Sequence, residues 1–283
     1  MDLGVSTQAG APGPGTAPDD EVRRRQTPAA AASEVIWHEL ECGSYRADLP
    51  LWQELAALHG DPILEIGAGT GRVSLALARA GHDVVALDLD PVLLGALRAR
   101  TAGATVETVR ADARAFALAR RDFGLCIVPM QTIQLLGGRA GRLAFLRCAR
   151  AHLRDGGAIA CAIACALEPF DCAHGDPAPP PDSMRVDGAR YVSRPTGVRL
   201  LGRRVLIERE RVILPGVAGR AQGALGTRSA DARTAEHSVI ELDRVGTAQL
   251  HREAVHAGLR PEPAREIPAT DEHTGSTVVV LRA

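Results

Sequence analysis

The stretch at residues 63–90, ILEIGAGTGRVSLALARAGHDVVALDLD, decides the fold of this chain. It begins with a short apolar run at 63–66, typical of a buried β-strand, and continues into a glycine-rich turn at 67–71. The alternation of apolar and small or polar residues behind the turn predicts a helix that ends at Gly81. A second apolar run at 84–87 ends in Asp88. The stretch therefore predicts two parallel strands joined by a helix, the repeating unit of an α/β fold.

The turn and Asp88 each have a chemical use. A turn without Cβ atoms lets a ligand approach the backbone closely. The helix behind it leaves its first amides unpaired, so the turn favours negative or strongly polar ligand groups. Asp88 would stand at the carboxyl end of a strand, where open α/β sheets bind ligands, and could accept hydrogen bonds from both hydroxyls of a ribose. We expect a nucleotide-like ligand here, the alternative being a turn that holds nothing.

The spacing of the glycines separates two kinds of nucleotide. The dinucleotide fingerprint G-x-G-x-x-G would place its third glycine at Arg72, whereas the chain has Gly71 one residue earlier. The run EIGAGTG, from Glu65 to Gly71, instead resembles motif I of class I S-adenosylmethionine-dependent methyltransferases, and Glu65 fits the acidic first position. The resemblance implies S-adenosylmethionine as the cofactor. It also implies a Rossmann-like, seven-stranded, mostly parallel sheet with an antiparallel last strand.

Composition limits the possible partners. The chain has 283 residues and a formal net charge of −1, which argues against a nucleic-acid partner. No apolar run is long enough to span a membrane, and residues 1–25 lack a signal pattern, so we expect a cytoplasmic protein with free thiols. We expect it to be a monomer or a homodimer. Residues 1–30, rich in Gly, Ala and Pro, predict a disordered tail before a domain at 31–283.

The segment before the first strand predicts two helices, at 33–42 with Ser33 as N-cap and at 51–58. Between them, residues 45–52, YRADLPLW, resemble the pre-motif element of small-molecule methyltransferases, which lies over the cofactor. The resemblance implies that Tyr45 and Arg46 touch the methionine end of the cofactor. Simple packing of the helix on the sheet is the alternative, and for Trp52 it is the preferred one.

The third and fourth strands are predicted at 105–109 and 123–128, and a helix at 91–100 lies before them. The resemblance implies that Asp112 hydrogen-bonds the adenine amino group, with the Ala113 amide nearby; the alternative is that Asp112 caps a following helix. The cofactor-binding residues implied by the resemblance are Tyr45, Arg46, Glu65, Gly67, Ala68, Gly69, Thr70, Gly71, Asp88, Leu89, Asp112, Ala113 and Pro129.

The loop after the fourth strand reads PMQT, from Pro129 to Thr132. It does not match the acid or Asn followed by Pro-Pro-Tyr that is frequent in amino-group methyltransferases of nucleic acid or protein. It looks more like the loop of small-molecule methyltransferases that borders cofactor and acceptor. Gln131 is therefore a candidate to bind a polar group of the acceptor, although capping of the next turn explains it equally well.

The rest of the core is predicted in the order helix, strand, helix, strand and final strand, at 142–153, 158–166, 246–257, 260–267 and 277–282. Residues 167–245 form an insertion with an antiparallel pair at 198–214 and 237–245 and a mobile loop at 216–234. Because the insertion leaves from the carboxyl edge of the sheet, we expect a lid over the acceptor. A peripheral ornament is the alternative.

His174, in the loop after the fifth strand, is the best candidate for a general base or acceptor contact, although a solvated histidine explains it more simply. Cys161, Cys165, Cys172 and His174 do not have the spacing of a zinc site, so no metal is expected. Cys161 and Cys165 are predicted to lie on one face of a strand.

The resemblance implies methyl transfer to a small-molecule acceptor by an SN2 displacement at a sulfonium carbon. The leaving group is neutral, so the protein mainly aligns the acceptor and excludes water, and no fixed catalytic residue is required. A non-catalytic S-adenosylmethionine-binding or scaffold protein of the same fold is the main alternative. Arg72 argues against a nicotinamide oxidoreductase.

Overall fold

The structure is a computed structural model that describes residues 28–101, 106–165, 167–215, 234–270 and 274–283. Within these residues the chain forms a mostly parallel sheet flanked by helices and a second, antiparallel sheet. Most of the predicted tail and nearly all of the predicted mobile loop lie outside the described residues, at 1–27 and 216–233.

The described helices are α1 Pro28–His38, α2 Leu49–His59, α3 Arg72–Arg79, α4 Pro91–Arg100, α5 Gly138–Arg150 and α6 Thr247–His256. A π-helix, Glu39–Gly43, continues α1, and short 3-10 helices lie at Thr132–Leu135 and Cys172–His174. The strands are β1 Ile63–Ile66, β2 Val84–Asp88, β3 Val106–Arg110, β4 Phe123–Val128, β5 Leu153–Ile163, β6 Phe170–Asp171, β7 Asp182–Val186, β8 Ala189–Leu201, β9 Arg204–Leu214, β10 Thr234–Asp243, β11 Arg260–Pro261, β12 Arg265–Ile267 and β13 Ser276–Arg282.

The central sheet has the order β11-β13-β5-β4-β1-β2-β3, and β12 also pairs with β13. Strands β1 to β5 are parallel to one another, whereas β13 runs antiparallel to its neighbour β5. Every residue of β1 and β4 is buried, as expected for central strands covered on both faces. This arrangement confirms the predicted mostly parallel sheet with an antiparallel last strand.

Alternate residues of β4 enter two separate cores. Leu125 and Ile127 pack in the core that contains Trp52 of α2, and Cys126 and Val128 pack in the core that contains Phe145 of α5. The period of two places helices on both faces of the sheet. Trp52 is 0 % exposed, so it packs α2 on the sheet, as preferred from the sequence.

The insertion forms a second sheet with the order β10-β9-β8-β6, and β7 also pairs with β8. The prediction of one antiparallel pair was too simple, because residues 198–214 do not form one strand. Gly202, with φ of 59°, allows a tight turn that divides this segment between β8 and β9. Asp243, at the end of β10, ties this sheet to the core: Arg142 donates to its carboxylate at 2.9 Å, and Gln134 donates to its carbonyl at 2.9 Å.

Several predicted boundaries were wrong. The first helix begins at Pro28, so Ser33 lies inside α1 and is not its N-cap. A helix was predicted to end at residue 153 and a turn to follow it at 154–157, but β5 already begins at Leu153. Residues 154–157 form a bulge in this strand opposite Gly124.

Three further predicted boundaries also differ. Helix α5 starts at Gly138 rather than at residue 142. The strand expected at 260–267 is two short strands, since Pro263 between them cannot donate to the ladder. Cys161 and Cys165 do not share a strand face, because β5 ends at Ile163; Cys161 is buried and Cys165 exposed.

No helix among the described residues is both long enough and apolar enough to cross a membrane.

Candidate active site

The glycine turn joins β1 to α3 and has an unusual backbone. Gly67, Gly69 and Gly71 have positive φ angles of 69°, 54° and 89°, a region that other residues rarely adopt. A Cβ at Gly67 would lie 2.5 Å from the Thr132 side chain, and one at Gly69 would lie 2.4 Å from the His38 ring. The turn therefore needs glycine both for its angles and for the close approach of these two side chains.

Asp88 ends β2 beside this turn. Its Oδ2 accepts a hydrogen bond from the Gly69 amide at 2.7 Å, and its Oδ1 accepts one from the Asp90 amide at 2.9 Å. A carboxylate offers about four acceptor positions, so roughly two remain for hydroxyl groups of a ligand. The neighbouring Leu89 side chain is 61 % exposed and offers an apolar surface at the same strand end.

Glu65 lies inside the protein below the glycine turn. It is 2 % exposed and accepts a hydrogen bond from the Ser74 hydroxyl of α3. Burial raises the pKa of Glu65 to about 7, because the charged carboxylate loses its water. Its observed contact supports the turn through α3, which differs from the direct ligand contact implied by the resemblance.

Arg72 joins the pre-motif element to α3. Its guanidinium donates to both oxygens of the Asp48 carboxylate at 2.6 and 2.7 Å and lies 5.2 Å from the centre of the Tyr45 ring. Trp52 donates its indole N–H to the same carboxylate at 2.8 Å. Tyr45 is 6 % exposed and packs in the core, while Arg46 is exposed. The structure thus places the Tyr45 side chain in packing contacts rather than at an open ligand surface.

His38 and Glu39 contact the glycine turn, which the sequence reasoning missed. The Nδ1 atom of His38 lies 3.2 Å from the Thr70 hydroxyl, and that hydroxyl donates to the Glu39 carboxylate. Arg100 donates to the same Glu39 oxygen at 2.5 Å. Burial lowers the pKa of His38, because the charged imidazolium would lose its water. No local signal marks these residues, because their partners lie more than 30 positions away in the chain.

Comparison with known proteins shows what this region is similar to. The sequence profile described as "Methyltransferase domain" matches residues 63–157, from β1 into β5. Residues 63–157 are therefore similar to this family, and the match covers less than half of the chain. The cypemycin N-terminal methyltransferase of a Streptomyces species is 33 % identical over 141 residues, which are 50 % of this chain and 51 % of that protein. The chain thus matches about half the length of this relative.

Solved structures share the fold of the methyltransferase domain. The sugar N-methyltransferase KedS8 from a Streptoalloteichus species superposes with a TM-score of 0.61 and 19 % identity, over 100 % of this chain and 99 % of that chain. The S-adenosylmethionine-bound amino pentose methyltransferase CalS10 from Micromonospora echinaspora superposes with a TM-score of 0.59 and 20 % identity, over 94 % and 96 % of the two chains. At these identities the likeness establishes the class I fold alone.

The third strand of the methyltransferase domain leads to Asp112 and Ala113. Asp112 accepts a hydrogen bond from the Arg114 amide at 2.8 Å and pairs with the Arg114 guanidinium at 2.6 Å. Hydrogen bonds from the Arg114 side chain lower the pKa of this carboxyl. The residues that follow form a turn and not a helix, so the alternative role of Asp112 as a helix cap is wrong. The Ala113 side chain is buried.

The loop after β4 contains a strained residue. Met130, between Pro129 and Gln131, has a φ of 55°, which is rare for a residue with a side chain and recurs at functional sites. The Gln131 side chain makes no capping hydrogen bond to the following 3-10 helix. The structure therefore does not support the capping alternative, and a role for Gln131 at the acceptor stays a prediction.

A cavity of about 370 Å³ lies between the methyltransferase domain and the insertion sheet. Gln134 lines it and is held on both sides: its Oε1 accepts from the Ala164 amide at 2.8 Å, and its Nε2 donates to the Asp243 carbonyl at 2.9 Å. Arg203 and Arg244 are its charged lining residues among those described. The sequence reasoning missed Gln134, because it follows the PMQT loop without any signal of its own.

His174 lies in the insertion and is not among the residues that line this cavity. Its side chain is 83 % exposed, and its Nδ1 atom lies 2.9 Å from the Asp171 carboxylate. Such a carboxylate orients an imidazole and leaves Nε2 free to accept a proton. Within the described part of the chain, no group of three or more His, Cys, Asp or Glu residues could hold a metal ion.

Proposed function

We propose that this protein transfers a methyl group from S-adenosylmethionine to a small-molecule acceptor. The single observation that carries the proposal is the position of Asp88 at the end of β2. The Gly69 amide holds it against the glycine turn, and its carboxylate keeps hydrogen-bond acceptor positions that the two backbone amides do not use. The matching family profile covers this part of the chain. The relative named a cypemycin N-terminal methyltransferase supports the same reaction class.

The residues at this strand edge fit the cofactor. Asp88 would accept hydrogen bonds from the ribose hydroxyls, and Leu89 would cover an apolar face of the adenine ring. Helix α3 begins at Arg72 behind Gly71, which supplies no side-chain cap. The Ser74 amide is hydrogen-bonded to Glu65, and the amides before it would hold a polar ligand group. Asp112 and the Ala113 amide would hold the adenine edge. When bound, the cofactor supplies a methyl group already activated on a positively charged sulfur.

The protein's own contribution is to align the acceptor and exclude water. We place the acceptor at the cavity beside Gln134, so that the insertion acts as its lid. In support, the 3-10 helix Thr132–Leu135 touches Gly67 through Thr132 and lines the cavity through Gln134. Thr132 and Gln134 are two residues apart in this helix, a rise of about 4 Å along its axis.

The charge of the cavity favours one kind of acceptor. Arg203 and Arg244 line it, no carboxylate is among its described lining residues, and Leu167, Leu200 and Val245 supply apolar surface. An acceptor with an apolar body and an anionic group fits this lining. Replacement of both arginines by glutamine should raise the KM for such an acceptor and leave S-adenosylhomocysteine affinity unchanged.

The proposal is tested in two steps. S-adenosylhomocysteine should raise the melting temperature of the purified protein, because it binds only the folded state, and NAD should not. Radiolabelled S-adenosylmethionine is then incubated with metabolite fractions, and release of S-adenosylhomocysteine identifies an acceptor. Binding without turnover on any fraction would favour the non-catalytic alternative, and a melting shift with NAD alone would overturn the cofactor assignment. That the protein is cytoplasmic and is a monomer or homodimer stays a prediction.

A further inference from the structure

The π-helix Glu39–Gly43 lies between the glycine turn and the insertion sheet. It continues α1 directly, and π-helical turns are rare and frequent at functional sites. Glu39 and Glu41 are two residues apart in this turn and contact different parts of the protein. Glu39 reaches the glycine turn and α4, whereas Glu41 reaches strands β8 and β9 of the insertion.

The contact with the glycine turn is direct. The Thr70 hydroxyl donates to Glu39, and His38 closes on Gly69, where a Cβ would clash with its ring. Arg100 donates to Glu39 from the end of α4. The last residue of α1, His38, therefore covers the backbone of Gly69, the residue whose amide also holds Asp88, and the first residue of the π-helix, Glu39, fixes the side chain of Thr70.

The contact with the insertion is a bidentate ion pair. Arg211 donates through Nε and Nη2 to the two oxygens of Glu41, each at 2.8 Å, and the Ser193 hydroxyl donates to Glu41 at 2.7 Å. The side chains of Glu41 and Arg211 are only 9 % and 14 % exposed. The Arg211 guanidinium also lies 5.5 Å from the centre of the Trp37 ring of α1. Planar bidentate pairs of this kind fix orientation as well as distance.

We infer that Glu41 and Arg211 are positioning residues for the glycine turn. The insertion sheet holds the π-helix, and the π-helix with the adjoining end of α1 holds Thr70 and Gly69. The inference rests on the proposed function, because the ligand of that turn is the proposed cofactor. It assigns the insertion a second role besides acceptor binding. Loss of the Glu41–Arg211 pair should loosen the π-helix and thereby weaken cofactor binding at a turn that neither residue touches.

The test compares Glu41→Gln and Arg211→Gln with a matched control, Glu208→Gln. Glu208 pairs with Arg199 on the same insertion sheet and does not contact the π-helix in any described hydrogen bond. Isothermal titration calorimetry with S-adenosylhomocysteine should show affinity roughly five- to twentyfold weaker for the first two variants, a range typical of coupled sites, and unchanged for the control. The double variant should lose less than the sum of the two single variants, because both remove the Glu41–Arg211 contact. Each residue also has a second, longer ion pair at 3.6 Å, Glu41 with Arg209 and Arg211 with Glu236.

A second readout needs no ligand. Hydrogen exchange of residues 34–43 should be faster in Glu41→Gln than in the parent protein, and unchanged in Glu208→Gln. Should Arg211→Gln fail to fold, Arg211→Lys keeps the charge without the bidentate geometry and should show a smaller loss of affinity. Parental affinity and parental exchange in Glu41→Gln would overturn the inference. A parent protein that does not bind S-adenosylhomocysteine would overturn the proposed function, while the exchange result would still decide whether the insertion holds the π-helix.

Discussion

Replacement of Asp88 by alanine should weaken binding of the proposed cofactor and lower the stability of the glycine turn. In the structure the carboxylate accepts the Gly69 amide at 2.7 Å and the Asp90 amide at 2.9 Å, which leaves roughly two acceptor positions for the hydroxyls of the proposed ribose. A hydrogen bond to a charged group contributes about 1.5–3 kcal/mol. Loss of two ribose contacts at the lower end of this range gives about 3 kcal/mol, or roughly a hundredfold weaker binding.

The measurement is calorimetric titration of S-adenosylhomocysteine into Asp88→Ala, with a thermal melt of the same sample. Because two backbone amides also lose their partner, the melting temperature should fall. Asp90→Ala is the matched control: Asp90 caps α4 by accepting from the Val92 amide at 2.7 Å, so its loss should cost about 1 kcal/mol of stability. Its affinity should stay near the parental value. Unchanged affinity in a folded Asp88→Ala protein, or an equal loss in Asp90→Ala, would refute the assignment of Asp88.

Three further substitutions test other parts of the site. The folded protein holds the pKa of Glu65 at about 7, above its unfolded value, so its free energy of unfolding should fall as pH rises from about 4.5 to 7. Glu65→Gln should remove that fall, up to about 3 kcal/mol, in denaturant titrations at each pH. Asp48→Asn leaves Arg72 buried without its carboxylate and should cost about 3–5 kcal/mol in the same titrations; a loss below 1 kcal/mol would contradict the pairing. His174 does not line the cavity proposed for the acceptor, so His174→Ala should leave both acceptor turnover and S-adenosylhomocysteine affinity near their parental values. Lower turnover at parental affinity would instead place His174 at the acceptor.

Local sequence signals determined much of the central sheet. Strand β1 occupies the predicted residues, and α4 begins at Pro91 behind Asp90, whose side chain accepts from the first helical amides. These features depend on neighbours within a few positions, such as apolar alternation, a proline in the first turn or a capping carboxylate. The glycine turn and Asp88 could also be predicted from the sequence, because the strand, turn and helix that contain them fix their spacing.

The N-terminal contacts with the site were decided by the tertiary structure. His38 and Glu39 meet Thr70 across more than 30 residues of chain, and Glu41 meets Arg211 across 170. A charged residue in a helix is usually solvated, so the sequence offers no reason to pair these groups. Only the packing of α1 against both the glycine turn and β8 makes the distances short.

The same division explains Tyr45 and the insertion. The sequence places Tyr45 in an element that resembles a cofactor lid, but its ring is buried because Arg72 folds over it to reach Asp48. In the insertion the alternating pattern predicted strands. It could not show that a turn at Gly202 separates β8 from β9, since a turn and a kink leave the same local pattern. Periodicity therefore determined which segments are extended or helical. The long-range pairing of polar side chains decided which of them meet at the site.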